Sequence, residues 1–213
     1  MSDARKKLTL MISSTVYGYE ELLDLLYAKL NEDYEVWMSH KGTVPIRSDR
    51  TALGSCLAAV EKCDLFLGII TPNYGSGQDP AMPGGPSFTH QEILKAIELK
   101  KPRWIIVHDH VVFARGLLKN LGFSGKDGRK KLKLKKNLIL DDLRVLDLYE
   151  DAIIDGLPLT DRRGNWVQKF NSADDIDTFV QAQFLRYGDV LRFVEENFIE
   201  KNGNPLPKQR RNA

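Results

Sequence analysis

Apolar positions along this chain fall into short continuous runs that alternate with stretches of helical period. Residues 8–12 form one such run, ending at Ser13-Ser14-Thr15, which predicts a buried strand and then a loop. Leu22, Leu23, Leu26 and Leu30 recur at helical spacing, so residues 19–31 read as an amphipathic helix. Residues 34–38 are a second strand, followed by a polar loop with Gly42 and Pro45. Ser48 or Asp49 then caps a helix that turns Leu53, Cys56, Leu57 and Val60 inward. Residues 65–70 are the most apolar run and belong at a sheet centre. Residues 71–86 are rich in Gly and Pro, and a loop this long inside a compact domain is a functional signal. A third helix starts at Thr89 with Ile93, Ala96 and Ile97 inward; Lys101-Pro102 ends it and residues 103–107 form a fourth strand.

Alternation of strand and helix implies parallel pairing through right-handed crossovers. The expected fold class is α/β: a flavodoxin-like, five-stranded parallel sheet in the order 2-1-3-4-5, with helices on both faces and a helical C-terminal elaboration. In that order the ligand crevice lies outside the carboxyl ends of strands one and three, so residues 13–15 and 71–74 become its walls. Downstream, residues 111–121 and 141–154 read as helices, 166–170 as a fifth strand, and 173–198 as one long closing helix. Between them lies a basic excursion, residues 122–138; its stretch from Gly125 to Lys136 holds seven basic residues and one acid. The expectation is a single domain over residues 1–201, with its core at 8–120 and its closing elements at 139–201. The tail, 202–213, is expected to be disordered.

Charge narrows the partners. With 31 basic and 29 acidic residues the formal charge is +2, far from the positive field of a nucleic-acid coat. Cys56 and Cys63, the two cysteines, match no zinc or redox spacing and suit a reducing cytoplasm. No apolar run has the length of a signal-peptide core or a membrane span, so a cytoplasmic protein without a membrane partner is expected.

Candidate chemistry concentrates between Cys63 and Val107. An apolar strand leads into the Gly-rich loop and then into Ser87-Phe88-Thr89-His90-Gln91-Glu92, with Ala96 one turn beyond. This spacing places the Glu92 carboxylate at the sheet's carboxyl edge and lets Ala96 bring the helix close to the sheet. Together, Ile12-Ser13-Ser14-Thr15, the run from Cys63 to Ile70, Tyr74-Gly75 and Ser87-Phe88-Thr89 with Glu92 resemble a bacterial domain-of-unknown-function family over residues 8–120. Its members occur alone or at the N-termini of large ATPases linked to antiphage defence. The resemblance implies a fold similar to Toll/interleukin-1 receptor (TIR) domains and nucleoside 2-deoxyribosyltransferases. In both relatives a glutamate on this helix acts at the anomeric carbon of an N-riboside, which makes Glu92 the catalytic candidate. NAD or a related nucleotide is the implied substrate, and no cofactor is required. A carboxylate can stabilise an oxocarbenium centre or attack it. The transferases typically carry an acid just after the central strand, where this chain has Thr71-Pro72; that departure disfavours deoxyribosyl transfer. The resemblance also implies self-association or a defence-system partner protein. A non-catalytic nucleotide-sensing or assembly module is the alternative from a different class, and N-(deoxy)ribosyl transfer a third.

Each candidate also has a plainer reading. Thr89-x-x-Glu92 is capping-box spacing, in which Glu92 would accept from Thr89 N–H. Ser13, Ser14 and Thr15 bind phosphate or ribose, or simply shape a turn. Tyr17 and Tyr74 stack on a base, or pack; Trp37 reads as core. His40, Lys41, Arg47 and Arg50 neutralise a pyrophosphate, or are a solvated loop. Ser87 and His90 complete the ligand-contact set. His108-Asp109-His110 invites a metal reading, but strand alternation would send adjacent side chains to opposite faces, so no metal site is assigned. Asp109 is then a cleft-edge carboxylate at the end of strand four. The basic excursion reads as a solvated segment lacking the interleaved aromatics of a single-strand binder.

Overall fold

The computed structural model describes residues 7–75, 84–135 and 139–199. Five strands form one all-parallel sheet: β1 (Thr9–Ser14), β2 (Glu35–Trp37), β3 (Leu65–Ile70), β4 (Arg103–His108) and β5 (Val167–Phe170). Their order is 2-1-3-4-5, the flavodoxin-like arrangement, with β3 at the centre and buried along its whole length.

Side-chain alternation feeds two cores. Leu10, Ile12, Leu65, Leu67, Ile69 and Ile106 face one layer. It is made by α1 (Glu20–Leu30), α7 (Ala173–Gln183) and α8 (Tyr187–Val194). Met11, Phe66, Ile70, Ile105 and Val107 face the other. That layer holds α2 (Ala52–Lys62), α3 (Phe88–Glu98), α4 (Asp109–Asn120) and α6 (Arg144–Ala152). A short helix, α5 (Gly125–Arg129), lies against α6. Because β1 feeds one layer and β3 the other, their connections part at the carboxyl edge. This is the crevice that strand order implies.

Several boundaries differ from the pattern-based expectation, each for a local reason. The closing helix is two helices: Tyr34 Oη donates to Phe184 O at 2.7 Å, and Phe184 is fully buried against Tyr34 and Trp104. That carbonyl is held by a side chain, and the chain turns before α8 begins. The third helix starts one residue before Thr89, with Ser87 as its cap. The fourth helix begins at Asp109, directly where β4 stops, so Asp109 and His110 lie on a helix and not on strand four. The basic excursion contains α5, and its Arg129 is buried rather than solvated. Residues 76–83 of the Gly-rich loop, 136–138 of the basic excursion and the tail 202–213 lie outside the described residues. No helix of the described residues is long and apolar enough to cross a membrane.

Candidate functional site

At the crevice, Ser13, one residue before the end of β1, lies in register with Gly68 of β3. A Cβ on Gly68 would stand 3.2 Å from Ile93, so the bare backbone there lets α3 settle on the sheet. Ala96, fully buried, keeps the next turn close as well. This approach carries Glu92, in the second turn of α3, onto Ser13. Ser13 Oγ donates to Glu92 Oε2. From α2 the Cys56 thiol comes near enough to act on the same carboxyl.

Glu92 is 6 % exposed and is the sole carboxylate in the buried set of described residues. No ion pair answers it among those residues. Burial raises its pKa above the ordinary value, against the smaller opposing effects of the Ser13 hydroxyl and the Cys56 thiol. Burial, and next the Glu92 charge, pushes the Cys56 thiol up to about 12, so it stays a donor at neutral pH. The capping box does not form: Ser87 Oγ accepts from His90 N–H at 3.3 Å, and Glu92 bonds Ser13 instead. A carboxyl in this setting holds its proton to higher pH than an exposed one or, when ionised, presents an unneutralised charge to an electron-poor centre.

Tyr74, Ser87 and His90 are brought together in a second buried cluster. Tyr74 Oη and His90 Nδ1 are 2.7 Å apart, His90 Nε2 and Asp151 Oδ2 2.9 Å, and Ser87 N–H donates to Tyr74 Oη at 3.3 Å. Burial would raise the Asp151 pKa, but the bonds from His90 and Lys126 outweigh it and hold the group ionised below its ordinary value. An ionised Asp151 calls for the proton on Nε2, leaving Nδ1 to accept from the tyrosine. The Tyr74 ring carries Arg144 at 4.6 Å, and its backbone N–H donates to Asp141 Oδ1 at 2.8 Å. Tyr74 is therefore a buried strut and not a stacking platform in this state.

Thr15 and Asn73 close the crevice between these clusters. Thr15 Oγ1 donates to Asn73 O at 3.0 Å, and Asn73 Nδ2 donates to Tyr17 O at 3.1 Å. Gly75 approaches so closely that a Cβ there would meet Thr15 Oγ1 at 3.0 Å, with φ at +95°. Ser14 Oγ donates to Thr15 O, and the Tyr17 side chain stands exposed. The basic set goes elsewhere. His40 and Lys41 both reach Asp24 of α1 at 2.7 Å, and Arg47 pairs with Asp49 at 2.7 Å. None of the three bonds Ser13 or Glu92 among the described residues.

Cys56, Asp141, Arg144 and Asp151 are the participants that sequence reasoning did not assign to the site. Cys56 stood in the predicted inner face of its helix, which was the one available signal. The other three come from the segment between β4 and β5, which folds back over the β3 loop and carries no local mark of doing so. His108, Asp109 and His110 at the edge of β4 are the one group among the described residues able to offer three metal-ligand atoms together, all within 4.8 Å.

The model of a family described as a domain of unknown function, DUF4062, matches residues 9–184. The chain belongs to this family. No curated protein matches the chain. The DUF4062 match runs from β1 past α7, so Ser13, Cys56, Glu92 and Asp151 all lie within the family domain. The segment from α4 to α6 is therefore part of that domain and not an appendage to it.

Proposed function

We propose that this DUF4062 chain is a TIR-like nucleotide-processing protein that hydrolyses the N-glycosidic bond of NAD or a related nucleotide, in the antiphage setting its resemblance implies. One observation carries the reading. Glu92 is a buried carboxyl without a cationic partner among the described residues, placed at the crevice edge of a parallel sheet. Holding such a group costs several kcal/mol at the order-of-magnitude level unless it is neutral or hydrogen-bonded. Structural carboxylates are normally matched by a cation, and perturbed acids cluster where chemistry is done.

In the proposed reaction the C1′–N bond breaks with its electron pair passing to the nicotinamide nitrogen, which leaves neutral. No strong general acid is needed. The ionised Glu92 carboxylate stabilises positive charge building at C1′, and water completes the hydrolysis with loss of a proton. Ser13 would exchange its bond to Glu92 for one shared with the ribose hydroxyls. The test is nicotinamide release from NAD by purified protein at several protein concentrations, since self-association or a defence partner belongs to this reading. Release by wild type and its loss in Glu92→Gln is the expected result. No release at any concentration, or equal release by the variant, overturns it.

A second reading, a nucleotide-sensing or assembly module, is favoured by the closure seen here. Ser13 and Cys56 seal Glu92, and the Thr15–Asn73 bond spans the crevice. Binding of ADP-ribose without turnover of NAD would select it.

A further inference from the structure

We propose that His108, Asp109 and His110 form a binding site for a divalent transition-metal ion of the zinc class, separate from Glu92 and independent of its chemistry. Strand alternation would keep these three side chains apart, but the strand ends at His108. His108 is the last residue of β4 and caps α4, while Asp109 and His110 already follow the helix. The change of backbone direction gathers three successive side chains that a continuing strand would have separated. The two imidazole rings are 4.5 Å apart between centroids.

The second observation is an orphaned acceptor. Asp109 Oδ1 is buried with no hydrogen-bond donor, and it stands 3.2 Å from His108 Nδ1. That nitrogen accepts from His110 N–H at 3.2 Å, so it presents a lone pair there. The lone pair is committed to that bond, so Nδ1 offers Asp109 Oδ1 no proton, and the carboxylate oxygen is left without a donor among the described residues. A cation bound by Asp109 Oδ1 and by an imidazole nitrogen not engaged in that bond supplies the missing positive charge. Zinc bonds to nitrogen and oxygen are about 2.0–2.1 Å, so tetrahedral ligand atoms stand about 3.4 Å apart. A set within 4.8 Å reaches that spacing by side-chain rotation.

Two histidines and a carboxylate leave coordination positions open, as at catalytic rather than closed structural metal sites. On the His108 side of the set, a cavity of about 600 Å³ is bounded also by Tyr19, Glu20, Asn171 and Ser172. Water or an oxygen-donor ligand would fill it. The helix dipole of α4 opposes a cation at its N-terminus, a weak effect beside three ligand bonds. The Asp109 charge offsets it further.

Dialysis of the full chain against a chelator, followed by titration with Zn²⁺ in a calorimeter and with Co²⁺ by absorption, tests the site. Wild type should take up one equivalent, and Zn²⁺ should raise its melting temperature. His110→Ala and Asp109→Asn should each weaken binding by about tenfold or more and abolish that rise. His110 and Asp109 are part-exposed, so both variants should fold, checked by their melting without metal. His40→Ala should bind as wild type does. No uptake by wild type, or one equivalent bound unchanged by the His110 and Asp109 variants, overturns the proposal.

Discussion

On one face of the sheet two glutamates are drawn out of water, Glu92 on α3 and Glu150 on α6, and they are held in opposite ways. Glu150 accepts from both terminal nitrogens of Arg129, at 3.0 and 2.6 Å, and from Arg115 Nε at 3.0 Å. Arg129 also donates to Asp147. Burial alone would raise the Glu150 pKa, but the guanidinium groups outweigh it and the carboxyl lies below its ordinary value. Glu92 has a hydroxyl and a thiol in place of guanidinium groups, and its pKa lies above. The Arg129 cluster is charge matched to charge, as a structural element should be. Glu92 is tolerated unmatched, at the edge where parallel sheets bind ligands.

The largest effect should come from breaking the matched cluster. Arg129→Met takes the guanidinium from Asp147 and leaves Glu150 with Arg115 alone, and should cost about 3–5 kcal/mol in denaturant unfolding, as removal of one partner from a buried pair does. A loss close to that of an ordinary surface change would show that water already reaches the two acids.

Removing a neutral donor from Glu92 should cost less. Ser13→Ala takes away the hydroxyl that the carboxyl accepts from, worth about 1–3 kcal/mol when a buried acceptor is left unsatisfied. It should also push the Glu92 pKa higher, as seen by infrared titration of the carboxyl band. An unchanged band position would mean that Cys56 alone holds the group.

The comparison sharpens in the pH dependence, where the two glutamates differ in sign. Below its ordinary value of 4.5, Glu92 is protonated whether the chain is folded or not. As pH rises past that value the unfolded chain releases a proton that the folded protein still holds, so stability falls until the raised folded pKa is passed. Glu150 works the other way: its contribution is full above its unfolded value and is lost as pH falls through its lowered folded value. The stability of wild type relative to Glu92→Gln should therefore be level in acid and decline toward neutral pH. A difference that grows in favour of wild type with rising pH would show Glu92 to be stabilised as an anion, against the assignment made here.

Much of this architecture could be read from the chain. The apolar runs at residues 65–70 and 103–107 and the helical spacing of Leu22, Leu23, Leu26 and Leu30 reflect burial that repeats every two or 3.6 residues. The position of Glu92 near the crevice followed from the same pattern. Its partner did not, because Cys56 comes from a different helix and its inward position looked like ordinary core. The contacts from Tyr74 through His90 to Asp151 join residues far apart in the chain, and Asp151 sits in a helix whose packing place no local pattern announces. The break before α8 escaped notice because helical period continues through it, while the decisive bond comes from Tyr34. At His108 the failure was one of boundary: a strand was carried on where a helix had begun.

By itself, then, the sequence determined which segments are strands and helices, which faces they bury and the edge of the sheet where Glu92 stands. Those properties depend on residues close along the chain, whose spacing sets the side of an element on which each side chain falls. Tertiary structure alone decided that Glu92 meets a hydroxyl and a thiol instead of a cation, that Tyr74 is locked to His90, and that three residues at the end of β4 converge. Protonation and binding depend on burial and on the nearest charge, and both are supplied by segments distant in the chain.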